Sequence, residues 1–388
     1  NGIIHVLSIS GLHISIIGMG FYKLLKKIRC PLIANVILSI AMMYCYGIMT
    51  GMGISAFRAV VMFCFHAAAG IFGRTYDMLT AAAVAAMLAL VRQPLYLCHS
   101  GFLFSFGAIL AIGLFLPVME ENLLGAECKS RAIARLERLM STSLAITIVT
   151  LPVYLCFYYE YPLYSLFLNV LLIPGMGVIL SDGLFSLAAA AYFLPLGKIV
   201  SFPAHLMLAF YEFCCTFMLR LPGSRTMPGK PENWQIIVFG VILCALVRYG
   251  RRGSRLQFWQ WTLFAVICLT LRYQGGIQIT FLDVGQGDCI YLADDSGGHY
   301  LIDGGSSSKS DVGTYRIIPF LKQEGADTLD AVFVTHMDSD HCNGIYTLVE
   351  EMGRSGIAVE NLILPDIGEE SRGEEYAELS ELAVRQGI

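Results

Sequence analysis

AVFVTHMDSDHCNG, residues 331 to 344, sets four metal-type donors in six positions directly after an apolar, strand-like run. His336, Asp338, Asp340 and His341 follow the arrangement H-x-D-x-D-H. Alternate side chains share a face along a strand, and where the strand ends the chain turns, so these groups can converge on one point. Imidazole nitrogen combined with carboxylate oxygen suits borderline and hard divalent ions, Zn2+ or Mn2+, held singly or as a pair. Four such groups this close would repel one another or stay unsatisfied without a cation. With 8 His and 13 Asp in the chain, the pattern arises by chance at a rate of roughly 2 in 10,000. The competing reading is a solvated polar loop.

Around this run, residues 274 to 388 alternate short β-rich segments (IQITFL, CIYLA, HYLI, DAVFV, ENLIL) with helical stretches near 314 to 323 and 343 to 352. Strands alternating with helices indicate an α/β layer structure. Two further loops lie between strands. FLDVGQGDC holds Asp283, Gln286 and Asp288 on a tight turn that Gly285 and Gly287 permit. YLIDGGSS places Asp303 before two glycines. These carboxylates and the amide are read as loops supporting the metal site; a structural Asx-turn is the alternative.

Residues 1 to 273 are a different kind of polymer. The whole chain of 388 residues is 56% apolar and 14% charged, well below the roughly 25% charge of soluble domains. This excludes an ordinary soluble globule, and the apolar content excludes disorder. The charge is also unevenly shared. Up to Arg272 there are 20 Lys/Arg against 9 Asp/Glu, a net of +11; from Gln274 onward there are 6 against 21, a net of −15. Most of the 12 Cys sit singly in apolar runs, without the paired spacing of a zinc ribbon, and read as small buried hydrophobes.

A bilayer crossing needs about 20 mostly apolar residues. Such runs are predicted near 3 to 22, 31 to 50, 54 to 73, 78 to 92, 97 to 118, 141 to 157, 163 to 180, 199 to 219, 234 to 250 and 256 to 272, with 183 to 195 too short to cross. Three basic clusters punctuate them: Lys23, Lys26, Lys27 and Arg29; Lys129, Arg131, Arg135 and Arg138; and Arg248, Arg251, Arg252 and Arg255. The positive-inside rule places all three in the cytoplasm. That parity holds only when 183 to 195 does not cross, and it puts the acidic tail on the outer face of a multi-pass cell-membrane protein.

Ionisable groups at membrane depth are costly and mark water-filled paths or internal pairs. His5, His13, Arg58 and His99 are the candidates, along with His66, Asn169, Asp182, His205 and Glu212. Arg58 stands out because a guanidinium does not shed its proton. His5, Ser8, Leu12 and Ser15 share one helical face by their spacing, and line a pore or bond to neighbouring helices.

These residues together resemble a known family. The tail is similar to the metallo-β-lactamase fold, whose metal loop reads H-x-H-x-D-H, with Asp338 in place of the second His. That replacement, DVGQGD and the Asp-Gly-Gly after a strand look like the branch found in ComEC-type competence proteins. The first 273 residues resemble the competence domain through HVLSISGLH (5 to 13), GISAFRAVVM (53 to 62), Asp77, the HSGFLFSF core, Pro152, Asn169 and Pro174. The resemblance implies a polytopic α-helical membrane domain (1 to 273) followed by the first half of an αββα metallo-β-lactamase-like domain (274 to 388).

It implies in turn a channel taking up single-stranded DNA in natural transformation, with an outer hydrolase degrading the strand that is not imported. Carried over, His336 and Asp338 hold one divalent ion and Asp340 and His341 the second, with Asp340 also positioning the attacking water. Partners would be DNA, membrane lipid, a DNA receptor, a further copy of the chain and a separate ATP-driven motor, since no nucleotide-binding Gly-rich Lys motif is present. Two other readings remain open: a non-catalytic channel with a vestigial hydrolase, and a membrane-anchored metallo-hydrolase of another phosphodiester.

The fold normally completes its site with a later His, and no His follows Asn343. The chain is therefore expected to be an interior segment, lacking the extracellular module that usually precedes the competence domain and ending halfway through the hydrolase. It is expected to bind metal weakly and to cleave nothing itself. The −15 tail also fits poorly with phosphate contacts, which rest on Lys and Arg.

Overall fold

A computed structural model describes residues 11–123, 131–272, 275–368 and 372–388, with the side chains of 11–15, 131 and 132 outside the description. His5 lies outside the described residues, as does the His13 side chain. Two compact units emerge. The first comprises Asn1–Val153, Pro162–Ser224 and Ile237–Val266; the second comprises Tyr154–Tyr161, Arg225–Ile236 and Ile267–Ile388. The expected boundary near 273 falls inside the second unit.

The first unit is helical because its sequence is almost uninterrupted in apolar residues and punctuated by turn formers. Its helices are α1 (Gly11–Lys27), α2 (Leu32–Met49), α3 (Ile54–Ile71), α4 (Met78–Arg92), α5 (Ser100–Leu123), α6 (Arg131–Tyr158), α7 (Ser165–Tyr192), α8 (Leu194–Val200), α9 (Phe202–Leu219), α10 (Asn233–Tyr249) and α11 (Arg255–Thr270). Among the described residues, six are long and apolar enough to cross a bilayer: α2, α3, α5, most of α6, α7 and α9. Helices α4 and α10 are apolar but shorter. Large apolar side chains face outward, Ile37 at 61%, Phe213 at 66% and Leu187 at 72% exposure, a surface matched to lipid and costly in water. This is a multi-pass membrane protein.

Local chemistry accounts for the helix boundaries. Asp77 caps α4 by accepting from the backbone N–H of Leu79 (3.3 Å) and Thr80 (3.2 Å). Ala81, Ala82, Ala85 and Ala89 are buried along α4, small residues that let neighbouring helices approach. Within α5 the turn Ala111–Phe115 widens to a π-turn, next to Pro117, which cannot donate to the preceding turn. Residues 183 to 192 continue α7 instead of forming a separate helix. Helix α9 then packs back on α7, with Tyr211 Oη donating to the Leu172 carbonyl at 2.9 Å. Gly175 permits this approach, because a Cβ there would collide with the Tyr211 hydroxyl.

The basic ends of several helices meet. Arg138 lies 3.9 Å from Glu120 and Arg251 lies 3.3 Å from Glu121, while Asn122 Nδ2 donates to the Gly250 carbonyl at 3.2 Å. The opposite ends of α6, α10 and α11 belong to the second unit.

The second unit carries the expected strand–helix alternation. Its main sheet has the order β1-β2-β3-β5-β7, from β1 (Gln278–Phe281), β2 (Ile290–Ala293), β3 (His299–Ile302), β5 (Ala331–Phe333) and β7 (Leu362–Ile363). Strands β1 to β3 are antiparallel, whereas β3-β5 and β5-β7 are parallel. A small parallel pair joins β4 (Thr328–Leu329) to β6 (Ala358–Val359). Helices α12 (Ile318–Glu324), α13 (Ser339–Glu350), α14 (Met352–Ser355) and α15 (Glu374–Gln386) complete it.

One sheet face presents Tyr291, Ala293, Leu301 and Val332 to a core shared with Leu321, Ile345, Leu348 and Leu379. The other face is less covered: Ile279 and Phe281 are 56% and 75% exposed. Their registered neighbours Leu292 and Ile290 are half-buried.

Candidate metal centre

Three loops meet at the C-terminal ends of the parallel strands, where open α/β sheets place their ligands. The first is the turn between β1 and β2, the second follows β3, and the third leads from β5 into α13. Main-chain bonds knit them together. Asp288 N donates to Asp340 O (3.3 Å), Gly305 N to Asp288 O (3.3 Å), and Gly304 N to His341 O (2.8 Å). The glycines are there because nothing larger fits. Gly287 adopts φ +150°, and a Cβ on it would run into the carbonyls of Asp340 and Gly305. A Cβ on Gly305 would meet the Asp340–His341 peptide.

Asp303 is the hub. It is only 4% exposed and adopts φ +54°, a left-handed conformation that costs of order 1–3 kcal/mol where it is held by its surroundings. Its Oδ1 accepts from the Thr335 N–H at 2.8 Å and its Oδ2 from the Thr335 hydroxyl at 2.7 Å. His341 Nδ1 lies 3.0 Å from Oδ2, and His336 Nδ1 lies 3.0 Å from the Thr335 Oγ1. A buried carboxylate accepts and does not donate. His341 Nδ1 therefore carries the proton. The Thr335 hydroxyl is already committed to Asp303, so His336 Nδ1 donates to it. Both rings are thereby left with Nε2 free as a ligand atom, the outer-partner arrangement typical of metal-bound histidine.

The two rings stand 3.7 Å apart between centroids. His336, Asp340 and His341 bring ligand atoms within 4.8 Å of one another. Asp338 is placed otherwise. It occupies the N-cap position of α13, its side chain is 79% exposed, and it approaches His336 Nε2 only to 3.5 Å. His336, Asp340 and His341 thus form one cluster, with Asp338 at its rim. The cause is the helix start: Ser339 opens α13, and the turn carries Asp338 outward while returning Asp340 and His341 beside His336.

The supporting loops divide in function. Asp288 reaches within 4.0 Å of His341 Nδ1 and remains 67% exposed in its side chain. Asp283 pairs with Lys309 at 2.8 Å, and that ammonium holds its carboxyl below the usual carboxylate range. Gln286 contributes main-chain groups, its N–H donating to Ser308 Oγ (2.8 Å) and its carbonyl accepting from Ser307 N (2.8 Å). Thr335 and Asn343 were not singled out by sequence. Asn343 clamps the 303–309 loop by accepting from Ser306 N (3.1 Å) and donating to Ser306 O (2.7 Å). The signal for both was adjacency to the His/Asp run.

Of the membrane candidates, His99 caps α5 through Gly101 N–H to Nδ1 (3.1 Å), a structural role. Asp182 accepts from Ala204 N at 3.0 Å, capping α9. Asn169 Oδ1 and Arg58 Nε are buried without a hydrogen-bond partner.

A family model described as competence protein matches residues 1–253. The chain belongs to the ComEC-type competence family. A second model, the metallo-beta-lactamase superfamily, matches residues 282–375 and covers all three loops of the centre. ComE operon protein 3 of Bacillus subtilis (strain 168) is 24% identical over 368 residues, covering 88% of this chain and 45% of the relative. The chain thus spans a little under half the length of that curated relative. No solved structure matches it. The donor set fits a divalent ion: two imidazoles with oriented Nε2 atoms and one carboxylate, open on the Asp338 side.

Proposed function

We propose that this chain is the membrane conduit of a DNA-uptake machine, passing one strand inward, and that its tail is a metal-dependent phosphodiester hydrolase module acting on the strand left outside. The observation that carries the hydrolase reading is the convergence of His336, Asp340 and His341 over the buried Asp303. Three protein donors with an open side are the pattern of catalytic, not structural, metal sites. A divalent ion held there would supply hydroxide near neutral pH and stabilise charge on the phosphodiester oxygens.

The chain's own groups do the rest. Asp303 and Thr335 fix both imidazole tautomers. Asp340 and the exposed Asp338 carboxylate are placed to accept a proton from an incoming water. The close-packed glycine turns keep the ligand loops in register.

The outer placement of the tail draws support from the basic helix ends around Arg138 and Arg251, which the positive-inside rule assigns to the cytoplasm, since one further helix, α11, follows the last of them before the sheet begins. The uptake reading draws support from the family and from a helix count far beyond the needs of an anchor. A non-catalytic tail is favoured by one observation, the net charge of −15 over residues 274 to 388, which fits poorly with phosphate contacts. Replacing Asp340 and His341 with Ala in the complete protein separates the two. Cleavage of labelled DNA lost with uptake retained or lost supports the hydrolase; no cleavage by the unaltered complete protein with Mn2+ or Zn2+ rejects it.

A further inference from the structure

The tail holds 6 Lys and Arg, and two of them stand beside the metal loops. Lys309 belongs to the loop after β3. Its ammonium lies 2.8 Å from Asp283 Oδ1, and its stem crosses Gly285, where a Cβ would meet the Lys309 Cε at 3.1 Å. Two positions further on, Gly287 lies against the Asp340 carbonyl. Two residues of chain span about 7 Å at most, so the Lys309 stem flanks the candidate centre.

Arg316 reaches the same flank by another route. Gly313–Ile317 form a π-turn ahead of α12, a distortion frequent at functional sites. Ile317 is fully buried, and a Cβ on Gly304, next to Asp303, or on Gly344 of α13 would strike its Cδ1. With Ile317 wedged there, the two residues before it face outward: Tyr315 is 73% exposed and Arg316 is exposed as well. The Lys309 ammonium, the Gly285 amide and the Arg316 guanidinium, in that order, hold the Asp283 carboxyl below the usual carboxylate range. Both cations thus act on one acid. Of the other four basic residues, Lys322 pairs with Glu160, Arg385 with Glu381, and Arg372 lies over the Tyr376 ring.

Two cations beside an exposed aromatic ring suit a single nucleic-acid strand, because the charges follow phosphates and the ring stacks on a base. We propose that Lys309, Arg316 and Tyr315 select the strand presented to the centre, a phosphate replacing Asp283 on Lys309 while a base stacks on Tyr315. Until then Asp283 holds Lys309 in place. Stacking requires a base drawn out of its own helix, which costs least in a strand already single, so this flank favours a single strand or a frayed end over a closed duplex. The tail's distant carboxylates are screened beyond about 8 Å at physiological salt and do not oppose a contact made at this edge. The inference rests on the hydrolase reading and adds to it a specificity determinant.

The test uses the full 388-residue chain in phosphatidylcholine nanodiscs with EDTA, so that no metal contributes. An oligothymidylate carrying one 5-iodouracil is titrated in and irradiated, and the cross-linked peptide is identified by mass spectrometry. The expected product is a cross-link on Tyr315, formed about tenfold less readily with the matching duplex. Arg316→Gln and Lys309→Gln should each weaken its formation about tenfold, the scale of one lost charge-assisted contact, and reduce the salt slope by about 0.7, one single-strand phosphate. Asp283→Asn, which removes the competing acid, should strengthen it. Tyr315→Leu should abolish the cross-link and leave the melting temperature unchanged.

Cross-links confined to other parts of the chain, or a Tyr315 cross-link indifferent to R316Q and K309Q, overturn the proposal and leave the hydrolase reading to its own cleavage assay. Equal competition by sodium polyphosphate, with Y315L binding as well as the unaltered chain, makes the flank a general polyanion surface and also overturns it. A cross-link that behaves as expected while the complete protein cleaves nothing sinks the hydrolase reading alone.

Discussion

A single carboxylate, Asp303, orients both histidines of the candidate metal centre, one directly and one through the Thr335 hydroxyl. Outer partners of this kind are worth roughly 10–100-fold in metal affinity. Asp303→Asn, which preserves shape but brings a donor where an acceptor is needed, should lower Zn2+ affinity by that factor in a calorimetric titration. Thr335→Val should give a smaller loss, because it releases His336 alone. An unchanged affinity in D303N would show that the imidazoles are oriented by something else.

A second prediction concerns Cys289, whose burial beneath the site pushes its thiol up to about 12. A thiol raised in the folded state contributes stability that is complete below its unfolded value of about 8.5 and lost as the pH climbs from there toward 12. Cys289→Ser should flatten the decline in melting temperature between pH 8.5 and 11. Native Cys289 should also resist alkylation at pH 8.

At the scale of elements, the site depends on turns that interlock without side chains. Gly287→Ala and Gly305→Ala each insert a Cβ into a neighbouring main chain, and overpacking of this sort costs roughly 1–3 kcal/mol. Either change should lower the unfolding midpoint of the second unit in a thermal or denaturant melt, whereas Gly353→Ala, which meets open space, should not.

These elements were unevenly legible in the sequence. The apolar runs of α2, α3, α5, α7 and α9 announce themselves because a helix in lipid has nothing to conceal. Residues 183 to 192, read as too short to cross alone, form the last turns of α7. The β–α alternation and the candidate donors His336, Asp340 and His341 were readable from type and spacing.

What spacing did not convey was direction. Asp338 turns out at the start of α13, and Asp303, read as a supporting loop, is the buried hub. Sequence separation hides that Asp303, Thr335 and His341 share one set of hydrogen bonds, because only the parallel pairing of β3 with β5 brings them together. His99, singled out as a polar group within an apolar run, accepts the Gly101 N–H at the start of α5, a contact the sequence hides while the helix start is unknown.

For the whole molecule, the tied basic ends at Glu120–Arg138 and Glu121–Arg251 make a topological statement open to labelling. With reactive native cysteines replaced, Arg252→Cys should be modified by a membrane-impermeant maleimide only after the cytoplasmic face is opened. Ser296→Cys should react in intact cells once the outer barrier is permeabilised. The reverse pattern would put the tail inside.

The sheet face bearing Ile279 and Phe281 has a practical corollary for anyone who cuts the tail free. Its grease is displayed on an edge strand, β1, whose outer rim offers unpaired amide and carbonyl groups to any passing strand. A liberated fragment should therefore clump or pair edge to edge in plain buffer and behave better with mild surfactant. Placing Lys at 279 and 281 should keep it dispersed without disturbing the histidines, which lie beyond the strand ends.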